Sequence, residues 1–375
     1  EITSSEIWYE GRTDFSREAV GTERISHKEE RGFELLQGKD YFEGRLLGGC
    51  LESFYDILTT TRYEDEKAVC EKYGLFPDIE EWKEKMTKLE KSSQRERLMG
   101  SQTPSVRITP DYVYTDGADA VKVLSVGGLI VDPWQGEVLN DWMGRTEEEI
   151  WSAPTCGLSV PRQNGKTLDT SGRIASGMIM YSEWVIYTAH LQKTATETFM
   201  ELKGLFESKG LRKYVREIKA ALGREQIILN NGGRVVFVAR TRNGGRGLHG
   251  DCLVFDEAQE LTSEQQASFL PAISASRNPQ TIYLGTPPDE NCTGAVFGKI
   301  RERARSGESK STAWTEYSVE EIGDVTDRKR WALCNPALGR RMTETTIAAE
   351  CEQMDEDTFA RERLGWWSPI NNDQD

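Results

Sequence analysis

The sequence has few of the residues from which metal or disulfide frameworks are built. It contains three histidines, and its seven cysteines are scattered without a C-x-x-C pair. This pattern excludes a zinc-finger framework and a disulfide-stapled fold, and it is typical of a reducing compartment. No apolar run approaches the roughly 20 residues needed to span a bilayer. The start EITSSEIWYEG is neither a basic signal region nor an amphipathic transit peptide, so we expect no targeting to a membrane or to export.

The sequence also lacks an excess of positive charge. Its net charge is -15, which excludes a protein that coats nucleic acid through its overall field. Any DNA contact must come from a local patch, and residues 226–250 contain four arginines and no acidic residue. Of these, Arg240, Arg242 and Arg246 are the candidates for contact with DNA or with a neighbouring subunit. A solvated hairpin accounts for the same stretch equally well.

The chain does contain enough apolar residues, 37% of 375, for one large domain or two ordinary ones. Residues 1–90 are dense in charge, residues 91–110 have the polar composition of a linker, and residues 111–370 alternate strand and helix patterns. This alternation predicts an α/β fold with a mostly parallel central sheet flanked by helices. The predicted strands are 156–160, Trp184–Ala189, Cys252–Phe255 and 281–284, with a hairpin over 226–239. The predicted helices are Lys166–Tyr181, Gln192–Glu207, one from about Ser263 and one over 344–363.

The stretch VPRQNGKT at residues 160–167 ends like a phosphate-binding loop, G-x-x-x-x-G-K-[ST], but has Val160 in place of the first glycine. It lies between a predicted strand and a predicted helix, which is the context that a phosphate site requires. Backbone N–H groups of the loop would face the phosphates, Lys166 would neutralise them, and the hydroxyl of Thr167 would hold Mg²⁺. Taken alone, the GKT match could still be accidental.

A second motif, LVFDEAQ at residues 253–259, ends an apolar strand in two carboxylates about 90 residues after the lysine. In a parallel sheet such a strand delivers both acids to the carboxyl edge, where ligands of this fold class bind. We expect Asp256 to position Mg²⁺ and Glu257 to orient and polarise the attacking water. The alternative is a strand that ends in a solvated acidic turn.

Two further stretches extend this prediction. The apolar strand in TIYLGTPP ends at Gly285 and Thr286, which would place Thr286 near the γ-phosphate as a sensor of hydrolysis. In DPWQ, about 30 residues before the loop, the amide of Gln135 could read adenine. A helix that starts with proline at its first position and buries Trp134 explains DPWQ almost as well.

Together VPRQNGKT, LVFDEAQE, YLGTPP, DPWQ and FARERLGWW resemble the ATPase domain of the large terminase subunit, the DNA-packaging motor of tailed phages. The resemblance covers about residues 99–370 and implies a RecA-like ATPase that uses ATP and Mg²⁺. It implies further that the chain works in the host cytoplasm as a homo-oligomeric ring, with double-stranded DNA, a portal protein and a small terminase subunit as partners. Terminases commonly replace the first loop glycine and carry an arginine in the loop, here Arg162. The resemblance implies that the catalytic arginine is Arg162 in cis or an arginine from a neighbouring subunit. The implied nucleotide-binding set is Gln135, Arg162, Gln163, Asn164, Gly165, Lys166 and Thr167.

Residues 2–86 resemble instead the start of the C-terminal domain of the LD-carboxypeptidase and microcin-immunity serine peptidases, in stretches such as EGRLLGGCLE and LFPDIEEW. Glu43 matches the glutamate of that family's triad, but no nucleophile or distal histidine accompanies it. We therefore expect an inactive small α/β fragment joined to the ATPase by a fused, truncated or misassembled reading frame, with no peptidase activity. A genuine two-domain protein is the alternative. The chain stops soon after the ATPase motifs, so we expect no nuclease domain. Two other interpretations stay open: a superfamily-2-like helicase or translocase, and a catalytically dead scaffold.

Overall fold

A computed structural model describes residues 98–368 except 222, 224, 243, 290, 291, 293 and 294, together with two short paired strands, Ile7–Tyr9 (β1) and Ser26–Lys28 (β2). The chain divides into two compact units between Arg95 and Glu96. The peptidase-like resemblance of residues 2–86 lies outside the described residues apart from these two strands, and it stays a prediction.

The second unit contains all the motifs singled out above. Its strands are Val106–Ile108 (β3), Tyr114–Thr115 (β4), Gly144–Arg145 (β5), Thr155–Ser159 (β6), Trp184–Ala189 (β7), Val215–Lys219 (β8), Gln226–Leu229 (β9), Arg234–Ala239 (β10), Cys252–Phe255 (β11), Gln280–Gly285 (β12) and Thr312–Glu316 (β13). Its α-helices are Gly117–Val126 (α1), Pro133–Trp142 (α2), Lys166–Tyr181 (α3), Gln192–Glu207 (α4), Ser263–Phe269 (α5), Val296–Arg305 (α6), Arg328–Cys334 (α7), Glu344–Gln353 (α8) and Glu356–Leu364 (α9).

Nine of these strands form one sheet in the order β3-β13-β6-β12-β11-β7-β10-β9-β8. The strands from β13 to β10 are parallel, and β3, β9 and β8 add antiparallel edges. The predicted mostly parallel α/β sheet is confirmed. The order places β12 between β6, which precedes the phosphate loop, and β11, which ends in the acidic pair. Because neighbouring strands lie about 4.8 Å apart, β6 and β11 are separated by roughly 10 Å.

Helices cover both faces of the sheet, and alternate residues of β11 show how. Cys252 and Val254 join the hydrophobic cluster on the face covered by α1 to α4, whereas Leu253 and Phe255 join the cluster on the face covered by α5 and α6. A strand buried on both faces reads as a continuous apolar run, which is why the sequence predicts it well.

An ion pair is buried within the first of these clusters. The guanidinium of Arg173 on α3 donates to Glu183 over 2.6 and 3.0 Å and to the side chain of Gln280 over 2.7 Å, and Trp151 lies 4.5 Å away beneath it. Because Arg173 is fully buried, its charge depends on Glu183 for compensation. The ion pair ties α3, which follows the phosphate loop, to the residue before β7, and the bond to Gln280 ties α3 to the start of β12.

We expect Glu183→Gln to lower the free energy of unfolding by about 3–5 kcal/mol, because it leaves the guanidinium buried without a counter-charge. The exposed pair between Lys122 and Asp119 on α1, 2.8 Å apart, supplies the control, and Asp119→Asn should cost less than about 0.5 kcal/mol. Urea unfolding of both variants measures the difference. Equal losses in the two variants would show that the buried pair is not a stabilising link.

A third hydrophobic cluster gathers α7, α8 and α9, with Trp331, Ile347, Phe359 and Leu364 among its buried members. We call this part the α7–α9 cluster. The single helix predicted over 344–363 is wrong: α8 ends at Gln353, and Asp355 caps the start of α9 by accepting a hydrogen bond from the backbone N–H of Thr358 over 2.9 Å. An aspartate at an N-cap favours a new helix start over continuation of the previous helix.

The predicted linker over 91–110 is too long at its C-terminal end. β3 pairs with β13 inside this range, and the backbone N–H groups of Gly100 and Ser101 donate to Leu338 and Ala332 in the α7–α9 cluster over 2.8 and 2.7 Å. These backbone bonds, which a polar composition does not reveal, place residues 100–108 in the folded unit.

Within the described residues, no helix combines the length and apolar character required to cross a membrane.

Candidate functional site at the carboxyl edge of the sheet

The phosphate-loop stretch joins the end of β6 to the start of α3. Its left-handed residues are Gln163, with φ of 62°, and Gly165, with φ of 102°, whereas Val160 is not among the positive-φ residues. Val160 is buried and its N–H bonds the carbonyl of Gly285 over 3.4 Å, so it extends the strand and needs no glycine. At Gly165 a side chain would meet the amide of Gln135 and the guanidinium of Arg341 at 3.1 and 3.2 Å, so this is the loop glycine that the geometry requires.

Lys166 begins α3, and its ammonium donates to the carbonyl of Val160 over 2.9 Å. Burial lowers the pKa of Lys166 to about 8, and the nearby carboxylate of Asp256 offsets part of this effect. Thr167 lies in the first turn of α3 and is half-buried. The loop, the lysine and the hydroxyl therefore meet at one helix N-terminus, which favours anions.

The pKa of Lys166 predicts a pH dependence of nucleotide binding. Bound phosphate would favour the protonated ammonium, so above pH 8 binding must be accompanied by proton uptake and the affinity for ATP should fall with rising pH, by up to about tenfold per pH unit. Calorimetry at pH 8 and 9 in buffers with different ionisation enthalpies measures the uptake. Lys166→Arg, whose guanidinium stays charged at these pH values, should abolish it, and absence of uptake in the wild type would contradict the prediction.

Asp256 follows the last residue of β11, at the same edge of the sheet. One carboxylate oxygen accepts the backbone N–H of Glu257 over 2.8 Å, and the other accepts the hydroxyl of Tyr187 from β7. Burial and the charge of Asp256 raise the pKa of Tyr187 well above its ordinary value, so the phenol stays protonated as a donor. Tyr187 thereby orients the carboxylate, a contact that no motif indicates.

Glu257 has a left-handed backbone, with φ of 51°, which costs free energy in a non-glycine residue and is often retained at functional sites. Its carboxylate accepts the backbone N–H of His190 over 3.1 Å and the hydroxyl of Thr194 over 3.2 Å. Thr194 lies in the first turn of α4, where the helix dipole favours an anion. The two carboxylates of the acidic pair are therefore held by different elements: Tyr187 of β7 orients Asp256, and the start of α4 holds Glu257.

Gly285 and Thr286 end β12 between the other two strands. The backbone N–H of Thr286 donates to the side chain of Gln259 over 3.4 Å, and a side chain at Gly285 would approach the same Gln259 oxygen to 2.8 Å. The side chain of Gln259 thus links the turn after the acidic pair to the end of β12. The roles of Gly285 and Thr286 in sensing hydrolysis and relaying it stay a prediction.

Of the three arginines predicted to contact DNA or a subunit, one is buried in the structure and two are exposed. Arg240 is 5% exposed, and its guanidinium donates to the backbone carbonyls of Thr188, Asp256 and Glu257. Burial lowers its pKa to about 10, which leaves it charged at neutral pH. Placing Arg240 on a contact surface is therefore wrong for this structure, because its donors face the backbone beneath the acidic pair.

Arg242 and Arg246 remain on the surface. The side chain of Arg242 is 85% exposed and lies 3.4 Å from Glu264, and Arg246 is exposed. Both line an open cleft of about 470 Å³ together with His249 and the start of α5. Their role in contacting DNA or a subunit stays a prediction.

Gln135 is fully buried near the N-terminus of α2. Its amide N–H donates to the carbonyl of Gly165 over 3.0 Å, and its oxygen accepts the N–H of Asp132 over 2.9 Å. The alternative for DPWQ is confirmed, since Pro133 opens α2 and Trp134 is buried. In this arrangement the amide of Gln135 holds the phosphate loop through the carbonyl of Gly165. Its role in recognising adenine stays a prediction.

The α7–α9 cluster supplies contacts to the loop that sequence reasoning missed. The amide of Asn164 donates to Asn335 over 3.1 Å and its oxygen accepts the N–H of Ala337 over 3.0 Å. Arg363, itself buried against Glu350, donates to the carbonyl of Arg162 over 2.8 Å. No local motif signals such contacts, because the partners lie about 170 to 200 residues apart in the sequence.

Arg162 points to solvent, with a side chain 65% exposed, and forms an ion pair of 2.9 Å with Glu362. Its assignment to ATP binding and catalysis stays a prediction. The neighbouring Gln163 accepts from Arg363 over 3.4 Å.

The residues present fit a magnesium–nucleotide complex more closely than an all-protein metal centre. Among the described residues no group of three or more histidine, cysteine, aspartate or glutamate side chains could hold a metal ion. Thr167 and Asp256 offer one hydroxyl and one oriented carboxylate, and Mg²⁺ usually takes only one or two protein oxygens when phosphates and water complete its shell.

No family model matches the chain, and no curated protein matches it. Among solved structures, the large terminase of bacteriophage HK97 has a TM-score of 0.57 at 17% identity and covers 68% of this chain and 55% of its own. The large terminase of the thermophilic bacteriophage D6E in complex with ADP has a TM-score of 0.45 at 11% identity, covering 68% of this chain and 53% of its own. The large terminase ATPase domain of Thermus phage P74-26 has a TM-score of 0.43 at 13% identity, and the match covers 66% of this chain and 98% of the phage domain.

This chain thus spans about half the length of the HK97 and D6E proteins. The likeness to the HK97 protein covers 68% of this chain, and it agrees with the mostly parallel α/β arrangement expected from the motifs. The unit from β3 to α9 therefore has the mixed α/β fold, with a large mostly parallel sheet, that is found in a phage large terminase.

Proposed function

We propose that this chain hydrolyses ATP and thereby drives double-stranded viral DNA into a procapsid, as the ATPase part of a large terminase. One observation carries the proposal. The loop with Lys166 and Thr167, the acidic pair Asp256 and Glu257, and Thr286 all lie at the carboxyl ends of three adjacent parallel strands. This edge is where ligands of open α/β sheets bind.

The proposed chemistry divides among these groups. Loop N–H groups and Lys166 bind the phosphates, while Thr167 and Asp256 hold the Mg²⁺ that neutralises charge on the transferred phosphoryl group. Glu257 accepts a proton from the attacking water, and its contacts with His190 and Thr194 set its direction. Thr286 lies beside the γ-phosphate position and passes the change on hydrolysis to Gln259.

DNA is the second proposed ligand, and Arg242 and Arg246 are the proposed contacts in a chain of net charge -15. A portal protein, a small terminase subunit and further copies of this chain in a ring complete the proposed machinery in the host cytoplasm. Arginine fingers from neighbouring subunits are worth roughly 10³ to 10⁵ in rate, so an isolated chain would hydrolyse ATP slowly.

The proposal is tested by phosphate release from ATP with and without double-stranded DNA, and by DNA binding at several salt concentrations. We expect the variant Arg242→Ala with Arg246→Ala to reduce the slope of log K against log salt by about 1.8, since each phosphate contact contributes about 0.9. Removing two positive charges from the edge strand β8, by Arg216→Ala with Lys219→Ala, should leave the slope unchanged. Equal slopes in all three proteins would exclude these arginines as phosphate contacts.

The two other interpretations predict different results in these assays and in an assay of strand separation. A dead scaffold would neither bind nor hydrolyse ATP, and a helicase would separate the strands of a duplex during hydrolysis. The motor that we propose moves along duplex DNA without separating it.

A further inference from the structure

Arg341 lies in a turn of the α7–α9 cluster that is fixed against the phosphate loop. Its backbone N–H and that of Met342 donate to the carbonyl of Ala337 over 2.9 and 3.0 Å. Ala337 is itself tethered to the loop, because its N–H donates to the side chain of Asn164 over 3.0 Å. The start of the arginine side chain is thus held in place relative to the loop.

The guanidinium extends along the loop residues that precede Lys166. It donates to the carboxylate of Asp132 over 2.6 Å and to the carbonyl of Asn164 over 3.3 Å, and it lies 3.2 Å from the position of a side-chain carbon at Gly165. Gly165 is the residue whose left-handed backbone shapes the phosphate cradle. A positive charge therefore borders the part of the loop where nucleotide phosphates would bind.

Exposure distinguishes Arg341 from the buried arginines around the loop. Its side chain is 43% exposed, whereas Arg363 and Arg240 are buried with their donors on backbone or carboxylate groups. Arg162 is also exposed, but its guanidinium lies against Glu362, whereas that of Arg341 borders Gly165. Arg341 therefore combines a position against Gly165 with the freedom to bind a ligand that enters from solvent.

The charges around Arg341 favour an anion at this place. Asp132 forms ion pairs with both Arg341 and Arg340, the latter over 3.5 Å, so Asp132 keeps a partner when Arg341 turns away. Asp169, the other acid in this corner, is fully buried, and burial raises its pKa well above the ordinary value. Two partly exposed arginines thus share the one carboxylate of Asp132.

Arg341 lies at the end of the loop away from the γ-phosphate position. Its near neighbours are Asp132 and Gln135 at the start of α2, through Gly165. The acidic pair and Thr286 mark the other end, and Lys166 lies between the two ends. A ligand group beside Arg341 therefore belongs to the diphosphate or ribose part of a nucleotide.

We propose that Arg341 binds the nucleoside diphosphate part of ATP and ADP, so that the α7–α9 cluster contributes directly to nucleotide binding. This proposal rests on the proposed ATPase function and adds a binding residue to the same site. Because the contact is to groups shared by ATP and ADP, it should strengthen the binding of both to the same extent.

The test compares the dissociation constants of ADP and ATP for Arg341→Gln, with Glu257→Gln present in every protein used for ATP so that the nucleotide persists. We expect both constants to rise by roughly tenfold to a hundredfold, as for loss of a hydrogen bond to a charged group, with their ratio unchanged. In the steady state KM should rise while kcat at saturating ATP changes little. Arg341→Lys, which keeps the charge, should recover part of the affinity.

Two controls separate direct contact from structural damage. Arg328→Gln removes one positive charge from an exposed site of the same cluster and should leave both dissociation constants within about twofold of their original values.

Arg340→Gln, the second control, removes the weaker partner of Asp132, and an effect equal to that of Arg341→Gln would overturn the proposal. It would also be overturned by unchanged affinities, or by weaker binding of ATP alone. If the unmutated chain bound no nucleotide, the proposed function itself would be wrong. If it bound nucleotide normally and Arg341→Gln left both dissociation constants unchanged, only the role of Arg341 would be wrong.

Discussion

Glu257→Gln is expected to bind ATP as tightly as the unmutated chain and to hydrolyse it about 10² to 10⁴ times more slowly, the range for loss of a general base. One carboxylate oxygen accepts the N–H of His190 and the other accepts the hydroxyl of Thr194. In the glutamine, the amide oxygen can keep the contact with His190 and the amide N–H can donate to the hydroxyl oxygen of Thr194. The direction of the side chain should therefore survive while its capacity to take a proton is lost. Binding of ATP measured at equilibrium, together with phosphate release, separates the two effects.

The matched control is Glu207→Gln, at the end of α4 remote from the acidic pair and half-exposed beside Lys203, which should leave turnover unchanged. A Glu257→Gln protein with full turnover would remove Glu257 from the chemistry. Loss of ATP binding in this variant would instead show that the residue shapes the binding site.

Lys166→Ala is expected to abolish measurable turnover and to weaken ATP binding by at least about a hundredfold, since a charge-assisted contact contributes roughly 1.5–3 kcal/mol and more than one phosphate oxygen is involved. The lysine already lies at the N-terminus of α3 beside the loop, with its ammonium on the carbonyl of Val160. Replacement by alanine retains the helix, because alanine favours helical backbone. Phosphate release and equilibrium binding of ATP measure the two losses.

Lys122→Ala, at an exposed position of α1, provides the same side-chain change away from the site and should behave like the unmutated chain. The free energy of unfolding of Lys166→Ala should not fall, because burial disfavours the lysine charge. Equal turnover in Lys166→Ala and Glu257→Gln, at the level of the unmutated chain, would refute the assignment of this edge as an ATPase site.

Local patterns predicted most elements of the second unit. The helices Lys166–Tyr181 and Gln192–Glu207 and the strands Trp184–Ala189 and Cys252–Phe255 have the bounds expected, because each is a long periodic or continuous apolar run between polar breaks. The hairpin over 226–239 also forms, turning at a glycine-containing loop. The failure at residue 354 has a local cause too, since an apolar period alone cannot distinguish one helix from two joined at a cap.

Contacts between distant segments could not be predicted in this way. Arg240 belongs to a basic stretch that is typical of a surface, yet its guanidinium donates hydrogen bonds to the backbone carbonyls of Thr188 and Glu257. Burial of an arginine depends on which acceptors the fold places around it. For the same reason Tyr187 and Gln259 were missed, since neither occurs in a motif that names its partner.

The sequence by itself determined the chemistry available to this protein: a lysine–threonine loop after one strand and two carboxylates after another, in an order typical of a nucleotide site. These features are local, because residues a few positions apart in a strand or helix have fixed relative directions. Only the tertiary structure decided that β12 lies between those strands, that Arg240 supports the acidic pair from beneath, and that the α7–α9 cluster brings Arg341 and Arg363 to the loop. Sheet order and packing depend on which surfaces bury together across about 200 residues of chain, and no short pattern encodes that choice.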